Sequence, residues 1–235
     1  MILDKIFGKI QLKIKNRESA GNILAHTLKG VLKNEARQDI TIIGLPRGGL
    51  IIAEIIATKL SCNLDMMISK RLRAPYNEEL AIGAVAEDGT LYLNKSLIDE
   101  LKISDEYINN EVSYQLQEIK RLADEYYHMN SFLDGSHNKI NDNTIVIVDD
   151  GAATGSTMLA TVTSLKNKFQ PKSIIVAVAV SPKSTVDLLK KEGLKHLEVI
   201  TSPADSNFGS IEQFYQRFDQ VNDNQILDII HSLRK

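Results

Sequence analysis

One cysteine, Cys62, is all the chain contains, which excludes an intramolecular disulfide and a cysteine-rich zinc site. It falls between a helix-like and a strand-like segment and reads as a buried structural thiol, not a nucleophile. The five histidines lack the His-x-x-x-His or His/Cys spacing that metal ligation uses. Neither sign of charge dominates. With 28 basic against 30 acidic side chains there is no global field to draw nucleic acid, and no helix-turn-helix signature accompanies it. No apolar run approaches membrane-spanning length, and residues 1–15 alternate Ile, Leu and Phe with Lys without a signal-peptide core. The expectation is a cytoplasmic protein with no membrane partner. Internal repeats and low-complexity linkers are absent too. What remains is ordinary globular composition, 43% hydrophobic and 25% charged, over 235 residues, enough for one full core.

Against this plain background the run from Thr144 to Thr157 stands out. Ile145, Val146, Ile147 and Val148 read as a fully buried strand. Asp149 and Asp150 sit at its C-terminal end, followed by Gly151-Ala152-Ala153-Thr154-Gly155 and an amphipathic helix from about Ser156. The turn and helix N-terminus offer N–H groups and hydroxyls to a phosphate. The carboxylates offer acceptors to sugar hydroxyls, or stabilisation to nearby positive charge. Phosphate plus polyol at one strand end describes a phosphorylated ribose. Capping alone would account for one acidic residue here; two before Gly-x-x-Thr-Gly exceed that need.

The rest of the chain alternates. Residues 17–33 have helical apolar spacing, and Ile40–Gly44 is a short strand running into Leu45-Pro46-Arg47-Gly48-Gly49 and a helical stripe to Leu60. Strand-like Leu64–Ser69 is followed by a polar loop over Lys70–Glu79, and then by a hairpin, Leu80–Glu87 and Thr90–Asn94, around Asp88-Gly89. One long helix is expected over 104–128, with Glu111, Glu118, Lys120 and Arg121 on an exposed face and Leu116, Ile119, Leu122 and Ala123 as a packing stripe. A turn-rich connection, 134–143, leads to strand 144–148. Then come helix 155–168, strand Ser173–Val180, helix Pro182–Glu192, strand His196–Thr201 and a last helix near Asp223–Leu233. Such alternation predicts an α/β fold, a mostly parallel twisted sheet flanked by helices in one domain over 1–235. Ligands of such sheets bind outside the strand carboxyl ends, where loops 45–49 and 149–157 both fall.

The strand followed by Asp-Asp-Gly-x-x-Thr-Gly-Ser-Thr closely resembles the signature of type I phosphoribosyltransferases that binds 5-phosphoribosyl 1-pyrophosphate (PRPP). Gly44-Leu45-Pro46-Arg47-Gly48-Gly49 is similar to that family's pyrophosphate loop. Lys70–Pro75, Glu79–Gly89 and Phe208–Phe218 resemble a subgroup of predicted phosphoribosyltransferases whose acceptor is unsettled. The resemblance runs from about Arg17 through nearly the whole chain. It implies the type I fold with a flap and hairpin insertion at 70–94 and a C-terminal hood at 202–218. It also implies a Mg²⁺-dependent enzyme moving the phosphoribosyl group to a nitrogenous acceptor, such as a nucleobase.

The site it implies is specific. Asp149 and Asp150 would take the ribose hydroxyls. Gly151, Ala152, Ala153, Thr154, Gly155, Ser156 and Thr157 would hold the 5-phosphate. Pro46, Arg47, Gly48 and Gly49 would take the pyrophosphate, with Lys70, Arg71 and Arg73 available from the flap and Arg71 closing over it. Mg²⁺ would ride mainly on PRPP oxygens without direct protein ligands. Phe208 and Tyr215 would stack on the acceptor, although the spacing of Phe214, Tyr215 and Phe218 equally suits core packing. A PRPP-sensing regulatory or RNA-binding protein without turnover, and a phosphoribosyl hydrolase or phosphorylase, would share the grip. A homodimer is the default for a soluble oligomer.

Overall fold

The computed structural model describes residues 13–127, 137 and 139–232. In chain order the elements are α1 (Arg17–Val31), β1 (Ile40–Gly44), α2 (Gly48–Leu60), β2 (Asn63–Met66), β3 (Ser69–Ala74), β4 (Asn77–Ala86), β5 (Leu91–Leu93), α3 (Lys95–Glu100) and α4 (Asp105–Tyr127). They continue with β6 (Thr144–Asp149), α5 (Ser156–Lys168), β7 (Ser173–Val180), α6 (Lys183–Leu189), β8 (His196–Thr201) and α7 (Asp223–Ser232).

Five strands form a parallel sheet in the order β2-β1-β6-β7-β8. Strand side chains alternate between faces, so each inner strand must be apolar on both. Ile42, Val146 and Val148 point into a layer with Leu24 and Leu28 of α1 and Ile52 and Ile56 of α2. Ile43, Ile145 and Ile147 point the other way, onto Met158, Leu159 and Val162 of α5 and Leu189 of α6. The chain leaves β1 toward β2 on one side and β6 toward β7 on the other. The two central strands therefore diverge at their carboxyl ends, the crevice where α/β sheets bind ligands.

A second, antiparallel sheet, β3-β4-β5, packs against the first through α5. Ala84 and Ala86 of β4 lie on Ala160 of α5, small residues that bring strand and helix close. Its other face buries Leu72, Ile82 and Val85 with Ile119, Leu122 and Tyr126 of α4 and Ile226 and Ile230 of α7. The expected packing stripe of α4 is thus present, and Ser104 Oγ accepts the Tyr107 N–H at its start.

Three expectations need correction. The polar loop expected over Lys70–Glu79 is a hairpin, β3 paired with β4 from Ser69↔Ala86 to Ala74↔Asn77. The Lys and Arg heads disguise a strand whose Leu72 and Ala74 are buried. Glu111 is not on an exposed face of α4. It is buried and accepts from the Arg73 backbone N–H and from Arg73 Nε at 3.1 and 3.0 Å. Cys62 is half-buried, its thiol pushed up by burial. The connection expected over 134–143 lies partly outside the described residues.

Candidate functional site

Two loops meet where β1 and β6 diverge. The Leu45 N–H donates to the Val148 carbonyl at 3.0 Å, tying the loop after β1 to the strand that ends in the acidic pair. The Pro46–Arg47 peptide is cis, and α2 begins at Gly48. Gly48 faces the acidic pair so closely that a Cβ there would lie 1.8 Å from Asp150 Oδ2. Only glycine lets the two loops approach this far. Gly49, in the first turn of α2, packs as tightly on the end of β6, where a Cβ would lie 2.5 Å from the Val148 carbonyl oxygen and 2.9 Å from Asp149 Cα.

Asp149 and Asp150 are largely enclosed. The Asp150 backbone N–H donates to Asp149 Oδ1 at 2.8 Å. Asp150 Oδ2 accepts from Arg17 Nε at 2.6 Å, and the Asp150 side chain is 14% exposed. Burial, and then the charge of Asp150, push the Asp149 carboxyl well above the ordinary carboxylate range. Burial raises Asp150 too, against the opposing pull of the Arg17 guanidinium.

The loop after the pair is built for backbone presentation. Gly155, the N-cap of α5, has φ 71°, a left-handed conformation that turns the chain into the helix. Among the described residues, the N–H groups of Ala153, Thr154, Gly155 and Thr157 have no protein acceptor. The Ala152 N–H, by contrast, is committed to the Val180 carbonyl at 2.9 Å, which narrows the expected phosphate cradle by one donor. Thr154 Oγ1 and Ser156 Oγ share a hydrogen bond at 3.0 Å. Ser181 Oγ and Thr185 Oγ1 donate to the carbonyls of Ala152 and Ala153 at 2.9 and 2.6 Å, fixing the loop from behind. Gly151 backs onto Ile211. Donors, a helix N-terminus and two carboxylates within one loop suit a phosphate beside a polyol.

Arg47 belongs to the same crevice, but its guanidinium turns along it. Nε pairs with Asp223 Oδ1 at 3.0 Å and Nη1 donates to the Val221 carbonyl at 3.2 Å. Tyr126 Oη donates to the same Asp223 oxygen. Lys70 is half-buried, and burial lowers its ammonium pKa; Glu118, Arg47 and Asp223 also act on it, placing it in this charge group. Arg71 is exposed. With Lys70, Arg73, Tyr114, Gln115 and Glu118 it lines a cavity of about 260 Å³ beside α4.

The hood residues divide. Phe208 is half-buried and stacks on Phe214, ring centroids 5.8 Å apart. Tyr215 is buried, tilted against Phe218, and its hydroxyl donates to the Asp150 carbonyl at 2.9 Å. It braces the acidic loop and has no open face for stacking.

Sequence reasoning passes over Arg17, Ser181, Thr185 and Asp223. Arg17 carries a signal: it opens α1 just after the Asn16 cap, where the helix dipole disfavours a cation. A basic residue there points to a tertiary anion. Ser181 and Thr185 carry none, since their role depends on β7 and α6 lying beside the loop.

The family model described as "Phosphoribosyl transferase domain" matches residues 11–215. Two Mycobacterium tuberculosis proteins, provisionally named phosphoribosyl transferases, are each 28% identical over 212 residues, covering 90% of this chain and 45% of their own length. The chain thus spans about half the length of the curated relatives it matches. The crystal structure of TT1426 from Thermus thermophilus superposes with a TM-score of 0.72 at 27% identity, covering 94% of this chain and 98% of that one. The fold, the paired loops at the switch point and the match across most of the chain agree: this protein belongs to the phosphoribosyl transferase family.

Proposed function

We propose that the protein transfers the 5-phosphoribosyl group of PRPP to a nitrogenous acceptor with release of pyrophosphate. The observation that carries this is the pairing of the two loops, the acidic, phosphate-ready loop after β6 and the Pro46–Gly49 loop after β1, pressed together at Gly48. One holds the ribose 5-phosphate and its hydroxyls; the other lies beside C1, where the leaving group departs. The C1–O bond to pyrophosphate breaks with its electron pair on the leaving oxygen. The acceptor nitrogen forms the C1–N bond and gives up its proton to the released pyrophosphate or to water. The reacting ring passes through an oxocarbenium-like state, as in glycoside cleavage. The charge of the acidic pair favours it, while positioning supplies much of the rest.

The donor set suits a Mg²⁺ carried on PRPP oxygens and water rather than in a protein cage. Asp150 Oδ2 is already bonded to Arg17 Nε. A bound Mg²⁺ would supply positive charge to offset that of the departing pyrophosphate.

The test is pyrophosphate release from PRPP and Mg²⁺ over a panel of purine and pyrimidine bases. Release that depends on a base, and falls at least ~10²-fold in the Asp149→Asn/Asp150→Asn double variant, supports transfer. PRPP binding without turnover would favour a sensor; failure to bind PRPP would overturn the reading.

A further inference from the structure

We propose that Arg17 is a positioning residue of the phosphoribosyl site, fixing the Asp150 carboxylate in the orientation that receives a ribose hydroxyl. This rests on the function proposed above, but the observations behind it are separate. Arg17 lies 133 positions from Asp150, yet its Nε is 2.6 Å from Asp150 Oδ2. The guanidinium is itself held on two further sides. Its carbon sits 3.9 Å from the centroid of the Phe218 ring, and Nη1 donates to the Asp219 carbonyl at 2.6 Å. A planar cation pinned by an aromatic face, a carbonyl and a carboxylate has little freedom to turn, and its side chain is 12% exposed.

The arrangement spans the site. Residues 214–219 run beside the chain entering α1: Ile14 and Tyr215 form a bridge, and the Gln216 and Arg217 N–H groups donate to the Ile14 and Lys15 carbonyls. Tyr215 reaches the Asp150 carbonyl and Arg17 reaches the Asp150 side chain. The hood and the start of α1 therefore hold the backbone and the carboxylate of one residue together. Gly48 completes the fit, since a side chain there would displace both Asp150 Oδ2 and Arg17 Nε.

The position also has an electrostatic consequence. The titratable groups facing Asp150 are Asp149 from its own loop, Arg17 from α1 and the Tyr215 phenol from the hood, itself pushed up by burial; the pyrophosphate loop presents Gly48. Arg17 supplies the cationic charge that opposes protonation of the pair. Without it, two adjacent enclosed carboxylates would retain a proton to higher pH and accept hydroxyls less well.

Three variants and two readouts test this. Arg17→Met removes the charge and keeps the length, Arg17→Lys keeps the charge without the planar fork, and Phe218→Leu removes the supporting ring. Titration of ¹³C-labelled aspartate carboxyls by NMR in the ligand-free protein reads the hold directly. Ribose 5-phosphate binding across pH 5–9 reads its use. Arg17→Met should move the acid limb of binding up by about one pH unit or more and weaken binding about tenfold at pH 7. Arg17→Lys should restore the limb without the full affinity, and Phe218→Leu should shift both slightly in the direction of Arg17→Met. Should Arg17→Met fail to fold, the other two still decide. Unchanged carboxyl titration and binding limb, with only thermal stability lowered, would overturn the inference. Loss of ribose 5-phosphate binding in the unaltered protein would instead sink the proposed function, while the ligand-free titration would still measure the Arg17 contact.

Discussion

The loop over 149–157 and the hairpin over 69–86 are both dense in polar residues, yet they are built on different principles. The loop works through its backbone: a left-handed Gly155, N–H groups without an acceptor among the described residues, and carbonyls pinned by Ser181 and Thr185. Its side chains are mostly small, so local sequence sets the course of its backbone, and Ser181 and Thr185 hold that course from neighbouring elements. The hairpin works through long side chains whose partners lie elsewhere. Arg73 engages Glu111 of α4, and Lys70 shares its surroundings with Arg47 and Asp223. A row of lysine and arginine reads as solvated loop until a partner layer is known. The difference teaches that a backbone-built site is local information, whereas a charge-built joint is tertiary.

The contrast is sharpest at Gly48. Alanine there would place a carbon 1.8 Å from Asp150 Oδ2. The obstructing atoms are side-chain ends, so the fold should survive while the carboxylate shifts away from Arg17. Pyrophosphate release should drop about 10²-fold, as misplacement near reacting atoms commonly costs. Near-normal turnover with an unchanged melting temperature would show that the two loops need not touch.

Arg47→Ala should have the next largest effect. It removes the basic side chain of the loop after β1 but leaves the 149–157 loop intact. PRPP turnover should weaken roughly tenfold, well beyond any loss of ribose 5-phosphate binding measured by calorimetry. Equal losses in both would reject a pyrophosphate role for Arg47.

The smallest effect should come from His137→Gln, which probes how the hairpin sheet is joined to the main sheet. His137 Nδ1 lies 2.9 Å from Asp65 Oδ2 of β2, and Nε2 bonds Glu87 at the end of β4. Burial alone would lower its pKa, but hydrogen bonds and charge from Asp65 and Glu87 carry it up to about 10. A raised value in the folded state stabilises fully below the unfolded value near 6.5 and is lost as pH rises through about 10. Urea denaturation should therefore show stability falling between those limits, with a flatter profile in His137→Gln and little change in turnover. An identical pH profile in the variant would remove His137 from this role.

Much of the site is legible in the sequence. Strand β6, the acidic pair and the start of α5 follow from four consecutive β-branched residues, a polar cluster and a helical stripe. Strands β7 and β8 fall on their expected bounds. The hidden parts share a cause. Leu72 and Ala74 are only two apolar residues among charges, too weak a pattern to announce β3. Tyr215 and Phe218 look equally fit for core or ligand, and only their neighbours decide that Tyr215 braces Asp150 and Phe218 supports Arg17.

By itself the sequence determined the alternating α/β order, the two central loops and the small residues that shape them, because hydrophobic period and backbone freedom are local properties. Tertiary structure decided which charges meet: Arg17 with Asp150, Arg47 with Asp223, Arg73 with Glu111, His137 with Asp65 and Glu87. Those pairings join residues tens to more than a hundred positions apart. Side-chain charge has no periodicity that names its partner, so only the packed layers could bring them together.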